Sequence, residues 1–373
     1  MATAPRHQTS DPSHIWITQP DGVSNCYSDP GGRFSIVSTD GSGLRDLSKL
    51  DIYAGAMAFV EGKLSVHGDL FSAIRWFLNR PSFAGRDLLL GAIARFAHIP
   101  KTKAAKNIQF HYDRSNEFYR QFLDARMIYS EAHFEYSGQS LDEAQFAKLD
   151  RVCRHLELKP GDRFLDVGCG WGGLIVHAAA HYGVTAAGCT LSNEQLSYAR
   201  SLVEKQKLAR KISIDSVDYP HLEGRFDKIA SIGMFEHVGR SKLRPYLNKM
   251  YSLLEKGGLF LNRGLIRPRG VSKGPETLFL QNEVFPGSEL VHLDEVIREG
   301  ERAGFETVSL EDVRMHYART ARMWVENLQR RAAECARLVG DRTYRIWVLY
   351  LAAAVVSLED LKMSAAEVVF AKP

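Results

Sequence analysis

The feature that most constrains this chain is a short apolar strand that runs directly into a cluster of glycines. Residues 164–173 have the sequence FLDVGCGWGG, and the apolar segment GLIVHAAAHYG overlaps its end. The pattern predicts a buried strand over 163–167, a tight turn, and a helix that ends at Gly183. Because glycine tolerates positive φ and lets a ligand approach the backbone, the turn is a candidate binding site. In open α/β sheets, ligands bind at the carboxyl ends of the strands, where this turn would lie.

The chain after about residue 145 continues to alternate strands with helices. Repeated βα units imply an α/β fold with a doubly wound, mostly parallel sheet, and the end of the chain favours an antiparallel edge. A chain of 373 residues with 45% hydrophobic content can form this domain and a smaller one. The further strands are predicted at VTAAG (184–188), KISIDS (211–216), FDKIASIG (226–233), LFLNR (259–263), ETVSLEDVR (306–314) and AEVVFAK (366–372).

Residues 31–100 are predicted to form a small α+β domain behind a disordered tail of residues 1–30. The segments RFSIVSTDG and AMAFVEGKLSVHG have the alternation of strands, and DLFSAIRWFLNR has that of an amphipathic helix. An apolar run, RDLLLGAIARFAHI, then leads into the basic stretch PKTKAAK. One interpretation is an ordinary domain with a solvated linker. The other is an apolar face with basic flanks that contacts a lipid surface.

The composition excludes several classes of protein. A net charge of +4 is too small to indicate nucleic-acid binding, but it would suit an anionic membrane surface. The five cysteines have no CxxC pair or metal-ligand spacing, so we expect no metal site and a reducing, cytoplasmic location. The best candidate for a membrane span, WVLYLAAAVVSL, has about half of the roughly 20 residues that a span needs, so we expect a buried helix.

The ligand of the glycine turn is best explained as S-adenosylmethionine. A nicotinamide dinucleotide, the rival, would require an acidic residue about 20 residues further on to hold a ribose. Here the second strand ends instead in GCTLSNEQ, where Thr190 and Gln195 could hydrogen-bond ribose hydroxyls. Asp166, two residues before the first glycine, suits a charged amino-acid group better than a pyrophosphate.

Several motifs that occur in order resemble those of one enzyme family. The segments HYD (111–113), SNEFY (115–119), LD (123–124), YS (129–130), LDVGCGWGG (165–173), GCTLSNEQ (188–195) and SIGMFEHVG (231–239) are similar to motifs of the cyclopropane-fatty-acyl-phospholipid synthases and mycolic acid methyltransferases. The resemblance identifies residues 101–373 as an S-adenosylmethionine-dependent methyltransferase domain. It implies a seven-stranded, Rossmann-like sheet with a helical lid, and an unsaturated phospholipid acyl chain as the substrate.

The resemblance also implies which residues contact the cofactor. Tyr129 and Ser130 take the positions that meet its methionine end, and Asp218 and Tyr219 those that meet its adenine. Tyr112 would also contact the cofactor, and the alternative for this residue is an ordinary aromatic side chain that packs helices together. The implied contacts are completed by Tyr112, Asp166, Gly168, Gly170, Gly172, Thr190 and Gln195.

Two positions depart from the pattern of the family's cyclopropane-forming members. In those members a bound bicarbonate acts as the base, held by a Cys, a Glu, a His and a Tyr. The resemblance implies that Glu236 and Tyr317 take two of these positions, but Glu131 stands at that of the Cys and Arg263 at that of the His. We expect Glu131 to fill the space of the bicarbonate and to pair with Arg263, since Arg–carboxylate pairs are strong and often bidentate. Bicarbonate would then not be required.

The chemistry that follows is methyl transfer to a cis double bond, which leaves a carbocation on the acyl chain. Glu236 would stabilise the positive charge, Tyr317 would orient the base, and Glu131 would take the proton. Loss of a proton from a chain carbon gives a methyl-branched alkene, loss from the new methyl gives a methylene group, and ring closure gives a cyclopropane. Because the usual base is replaced, we expect a branched unsaturated product rather than a ring.

Other interpretations stay open on the sequence alone. Glu131 and Arg263 would form only a structural ion pair if the enzyme is a cyclopropane synthase that still recruits bicarbonate. A small-molecule methyltransferase and a non-catalytic lipid-binding protein are further alternatives, although the latter would not need intact cofactor glycines. The expected partner is a phospholipid at the inner face of the membrane, contacted peripherally from the cytoplasm. A homodimer and a downstream redox enzyme stay open.

Overall fold

The computed structural model describes residues 14–18, 24–28, 34–38, 52–79, 115–271, 276–284 and 289–373. The strands are β1 (His14–Thr18), β2 (Ser24–Ser28), β3 (Phe34–Ser38), β4 (Leu64–Gly68), β5 (Arg163–Val167), β6 (Thr185–Cys189), β7 (Ile212–Asp215), β8 (Phe226–Ile232), β9 (Leu254–Ile266), β10 (Glu306–Asp312) and β11 (Ser364–Ala371). The helices are α1 (Ile52–Val60), α2 (Leu70–Asn79), α3 (Asn116–Tyr119), α4 (Leu141–His155), α5 (Gly173–His181), α6 (Asn193–Lys205), α7 (Phe235–Val238), α8 (Leu243–Leu253), α9 (Glu276–Phe279), α10 (Leu293–Ala303), α11 (Arg314–Arg330), α12 (Ala332–Val339) and α13 (Asp341–Glu359).

The larger sheet contains seven strands in the order β10–β11–β9–β8–β5–β6–β7. The strands from β9 to β7 in this order pair in parallel, which confirms the predicted doubly wound sheet. The end of the sheet is antiparallel as expected, since β11 runs antiparallel to both β9 and β10. The last strand of the chain, β11, lies inside the sheet, and β10 forms its edge. The physical reason is composition: β11 is apolar and buried along almost its whole length, whereas the charged and exposed β10 tolerates the edge.

Strand β5 is the point at which the topology of the sheet reverses. The chain proceeds from β5 outward to β6 and β7, then crosses to the other side for β8 and β9. A crevice therefore opens at the carboxyl end of β5, where the glycine turn follows. One apolar cluster packs α4, α5 and α6 on one face of the sheet, and a second packs α8 and α10 on the other.

The smaller N-terminal sheet has the order β2–β1–β3–β4 and corrects two predictions. Residues 14–18 and 24–28 form an antiparallel pair and not a disordered tail, because HIWIT carries the β-branched and aromatic residues that favour strands. The segment AMAFV (56–60) ends helix α1 and is not a strand, since Ala and Met are strong helix formers. The strand LSVHG and the helix at LFSAIRWFLN are confirmed. The segments RDLLLGAIARFAHI and PKTKAAK lie outside the described residues.

A helical layer formed by α11, α12 and α13 packs against α1 and α2 of the N-terminal unit. Arg75 on α2 donates hydrogen bonds to Glu359 at 2.5 Å and to Asp360 at 3.0 Å, at the end of α13. The segment WVLYLAAAVVSL forms the buried part of α13, as predicted. Within the described ranges, none of the helices combines the length and the apolar composition needed to cross a membrane.

Candidate active site

A cavity opens at the carboxyl end of β5, at the point where the topology of the sheet reverses. It lies between the glycine turn, the segment after β6, the segment after β7, and the chain that leads into α4. Ten of the predicted cofactor residues are described, and nine of them line this cavity: Tyr129, Ser130, Asp166, Gly168, Gly170, Thr190, Gln195, Asp218 and Tyr219. The sequence motifs, which are up to 90 residues apart, therefore meet around one space.

The glycine turn needs glycine at Gly168 and Gly170, which have φ of 82° and 55°. A Cβ at Gly168 would also lie 3.2 Å from Cγ of Met234, which borders the cavity. Gly172 has a different role from the one expected, because it does not border the cavity. It begins α5 with φ of 86°, and a Cβ there would meet Cβ of Ala199 at 3.2 Å. Gly172 therefore permits close packing of α5 on α6.

Polar side chains are distributed around the cavity. Burial raises the pKa of Asp166 to about 7, and the charge of Lys148 opposes that shift only in part. Thr190 donates a hydrogen bond from Oγ1 to Oε1 of Gln195 at 2.7 Å. Asp218 accepts a hydrogen bond from the backbone N–H of Tyr219 at 2.8 Å. The cavity thus offers charged groups near β5 and hydrogen-bonding groups, the carboxyl group of Asp218 among them, beyond β6, as a charged amino acid joined to a nucleoside requires.

Helix α4 holds the Tyr129–Ser130 pair against the cavity. It begins with a capping box formed by Ser140 and Glu143. One turn later, Gln145 Nε2 donates to the carbonyl oxygen of Ser130 at 2.8 Å, and Lys148 Nζ donates to Oγ of Ser130 at the same distance. Both side chains are buried, but their role was not predicted from the sequence. The sequence pattern that could have indicated it is the position of these two polar residues on the apolar face of an amphipathic helix.

Glu131 and Arg263 form the predicted ion pair. Their exposed fractions are 2% and 1%, and Nη1 of Arg263 donates to Oε1 of Glu131 at 2.9 Å. A bidentate pair was expected, but only one hydrogen bond joins the two side chains. The Nε and Nη2 groups of Arg263 donate instead to Glu367, with Nε at 2.6 Å. Glu367 lies directly opposite Arg263 across the β9–β11 ladder. Arg263 is therefore shared by two buried carboxylates.

Glu367 extends this ion pair toward the surface. Its Oε1 lies 2.5 Å from Nδ1 of the half-buried His155 on α4. Burial raises the pKa of Glu367, but the charge of Arg263 and the hydrogen bond from His155 outweigh it and lower the pKa to about 2. Glu367 is thus ionised at neutral pH and fixes Arg263 from behind. Glu367 was not predicted from the sequence, although a glutamate within an otherwise apolar strand indicates a buried partner.

Glu236 lies in the short helix α7 that follows β8, and its carboxyl group meets β9 just after Arg263, at Gly264 and Leu265. Its Oε1 accepts a hydrogen bond from the backbone N–H of Leu265 at 3.3 Å, and its Oε2 has no partner among the described residues. A Cβ at Gly264 would lie 2.5 Å from Oε2, so only glycine leaves room for this carboxyl group. Burial, with a further contribution from the charge of Glu131, raises the pKa of Glu236 to about 7.

An aromatic cluster begins at the wall of the cavity and continues into the helical layer. Tyr129 and Trp171 border the cavity, and Tyr129 packs on Trp324 with ring centroids 5.0 Å apart. Tyr317 on α11 packs edge-on against Trp324 at 6.4 Å. Tyr317 therefore belongs to this cluster. Tyr112 lies outside the described residues.

Glutamine in place of Glu236 is expected to stabilise the ligand-free protein at pH 8 by roughly 3 kcal/mol, because a pKa raised from 4.5 to about 7 corresponds to about that free energy. The cost of ionising Glu236 is absent below pH 4.5, grows up to pH 7 and is complete above it. Urea denaturation at pH 5 and pH 8 measures the difference. Glu334→Gln is the control, because the side chain of Glu334 is 45% exposed and pairs with Arg337 at the surface; it should change stability by less than about 0.5 kcal/mol. A gain of equal size at both pH values would contradict this account.

Comparisons with known proteins agree with this architecture. A family model described as mycolic acid cyclopropane synthetase matches residues 99–367. A probable fatty acid methyltransferase of Pseudomonas putida is 41% identical over 326 residues, which cover 85% of this chain and 81% of that protein. The cyclopropane mycolic acid synthase MmaA2 of Mycobacterium tuberculosis is 33% identical over 257 residues, 66% of this chain and 90% of that protein. The crystal structure of the mycolic acid cyclopropane synthase CmaA1 complexed with SAH and CTAB has a TM-score of 0.68 and 29% identity, over 71% of this chain and 97% of that one.

The sheet, the glycine turn and the cavity at the carboxyl end of β5 define an S-adenosylmethionine-dependent methyltransferase. The residues fit this cofactor, because buried charged groups lie at one end of the cavity and hydrogen-bonding groups at the other. The chain belongs to the mycolic acid cyclopropane synthetase family, whose model matches well over half of its length. The resemblance that the sequence motifs indicated is thereby confirmed.

Proposed function

We propose that this protein methylates the cis double bond of an unsaturated phospholipid acyl chain and uses Glu131 as a built-in base. The product would be a methyl-branched or methylene fatty acyl chain. The observation that carries the proposal is the position of the Glu131 carboxylate, which is buried, paired with Arg263 at 2.9 Å, and adjacent in sequence to Ser130 on the cavity wall. A fixed anion at this place performs the task that a bound bicarbonate would otherwise require.

S-adenosylmethionine, when bound, supplies a methyl group on a positively charged sulfur. The π electrons of the alkene form the new carbon–carbon bond, and the acyl chain is left with one positive charge. Glu131 accepts a proton from a chain carbon next to that charge, and the electrons of the broken C–H bond form the new double bond. The methylene product requires a 1,2-hydride shift first, which moves the charge to the carbon that bears the new methyl group. Arg263 stays hydrogen-bonded to Glu131 throughout, so the base keeps its orientation.

The proposed role of Glu236 follows from its unpaired buried oxygen. A positive charge on the acyl chain would favour the ionised form of this carboxyl group, whose pKa is about 7 without ligand. The aromatic cluster around Tyr129, Trp324 and Tyr317 would exclude water and present π faces to the cation. Charge stabilisation and proton removal would thus be divided between two carboxylates.

The lipid substrate is supported by the relatives and by the apolar surroundings of the cavity. The similar proteins are named as a fatty acid methyltransferase and a cyclopropane mycolic acid synthase. The N-terminal unit of residues 31–100 is proposed to contact the bilayer, since its helices α1 and α2 pack directly on α13 of the catalytic part. Such a contact would bring the cavity near the acyl chains from the water side of the membrane.

The product test is incubation of purified enzyme with S-adenosylmethionine and vesicles of an unsaturated phospholipid, followed by mass spectrometry of the acyl esters. We expect an added CH₂ with the double bond retained, which ozonolysis would reveal. A cyclopropane adds the same mass but resists ozonolysis. A ring as the main product would refute the proposed outcome.

A cyclopropane synthase that uses bicarbonate is the second candidate, because a relative of this activity is 33% identical to the chain. In that case the Glu131–Arg263 pair would only be structural. The two candidates differ in their response to bicarbonate, since only the second should speed up when bicarbonate is added to bicarbonate-free buffer.

A further inference from the structure

Lys148 is a buried cation that forms no salt bridge with any of the described residues. It lies on the inner face of α4, is 2% exposed, and borders the cofactor cavity next to Ser130 and Asp166. Among the described residues, its Nζ donates one hydrogen bond, to the neutral Oγ of Ser130 at 2.8 Å. An ammonium group has three N–H donors, so two of them are left for a ligand.

No carboxylate of the described residues lies within 4.0 Å of Lys148 Nζ. Asp166, Glu131 and Asp124 act on it only from a longer distance, and burial is the largest effect, lowering its pKa to about 8. A buried cation without a partner is costly, and an anion that enters the cavity would remove this cost. The polar wall around Lys148 is therefore incomplete in the protein alone.

We propose that Lys148, together with the hydroxyl of Ser130, binds the carboxylate at the amino-acid end of S-adenosylmethionine. The carboxylate is the only anionic group of this ligand, and Lys148 is the buried cation that borders the cavity. Asp166, which borders the same part of the cavity, would face the α-ammonium group. Lys148 would thus select ligands that carry an intact amino-acid group. The proposal depends on S-adenosylmethionine being the cofactor and does not depend on which lipid product is formed.

The test compares two ligands by calorimetry: S-adenosylhomocysteine and its decarboxylated analogue, which lacks only the carboxylate. We expect the wild-type protein to bind S-adenosylhomocysteine about 10–100-fold more tightly, as charge-assisted hydrogen bonds provide. In Lys148→Met the affinity for S-adenosylhomocysteine should fall by a similar factor. The affinity for the analogue should change little, so the ratio of the two dissociation constants should fall to a few-fold at most.

Lys242 provides the matched control, because it also borders the cavity but is exposed. In Lys242→Met the ratio of the two dissociation constants should stay as in the wild type. A ratio that falls to near one in Lys242→Met but not in Lys148→Met would overturn the proposal. An equal loss for both ligands in Lys148→Met would also overturn it, since Lys148 would then only support the wall. If Lys148→Met does not fold, the wild-type ratio alone decides: a ratio near one contradicts the proposal. These measurements need no lipid, so their failure is distinct from failure of the product assay.

Discussion

Glutamine in place of Glu131 is expected to lower kcat by about 10²–10⁴-fold, the usual contribution of a general base. The amide has the size of the carboxylate and can still accept the hydrogen bond from Arg263 Nη1, but it cannot take a proton at neutral pH. The affinity for S-adenosylhomocysteine should stay within a few-fold of the wild type, because Glu131 does not border the cofactor cavity. Turnover on phospholipid vesicles and calorimetry measure the two quantities.

The control for this variant is Glu367→Gln, which alters the other carboxylate on the same guanidinium. Glu367 lies behind Arg263, so we expect activity to fall by less than about tenfold, although stability should decrease. Equal losses in both variants would mean that activity depends on the ion pairs as such and that Glu131 is not the base. Activity of Glu131→Gln that survives and increases with bicarbonate would favour the second candidate function.

Methionine in place of Arg263 is expected to destabilise the protein by about 3–5 kcal/mol at pH 7, as measured by urea denaturation. The substitution removes the cation from two carboxylates, Glu131 and Glu367, that are at most 2% exposed. The pKa of Glu367 is held near 2 by Arg263, below the ordinary 4.5, so its stabilising effect is complete above pH 4.5 and lost toward pH 2. The difference between the wild type and the variant should therefore shrink as the solution is acidified.

Arg163→Met is the matched control for Arg263. Arg163 also binds two carboxylates, Asp227 at 2.9 Å and Glu255 at 3.0 Å, but its side chain is half exposed. Exposed pairs of this kind contribute about 1 kcal/mol or less. If both variants lost the same stability, burial would not explain the contribution of the Arg263 ion pairs to the free energy of unfolding.

The fold of the catalytic part could be predicted because its pattern is local. Strands β5, β6 and β8 are short apolar runs, and each is followed by a helix. The seven strands of the larger sheet were predicted within a few residues except for the length of β9. The order of β10 and β11 could not be predicted in the same way. It depends on which strand can be covered on both sides, and that is a property of the assembled sheet and not of either segment.

The residues of the candidate site that belong to sequence motifs, or to positions that the family resemblance gives, were predicted, and the others were not. Glu131 and Arg263 were paired from the positions that the family resemblance gives them. The third partner, Glu367, follows Arg263 by 104 residues and meets it only through the β9–β11 ladder. Lys148 was missed for another reason. It belongs to no glycine-rich or acidic motif, and only the packing of α4 shows that its ammonium group reaches the cavity.

The sharing of Arg263 between Glu131 and Glu367 has a consequence for the order in which the enzyme can mature. The units from β5 to β9 can form before β11 is synthesised, but Arg263 then lacks the anion that fixes its geometry. Since β11 inserts between β9 and β10, this contact requires a long loop to close, which is a slow step in folding. A nascent chain should thus complete the lining of its cofactor cavity, which comes entirely from residues 127–242, before β11 fixes the side chain of Arg263.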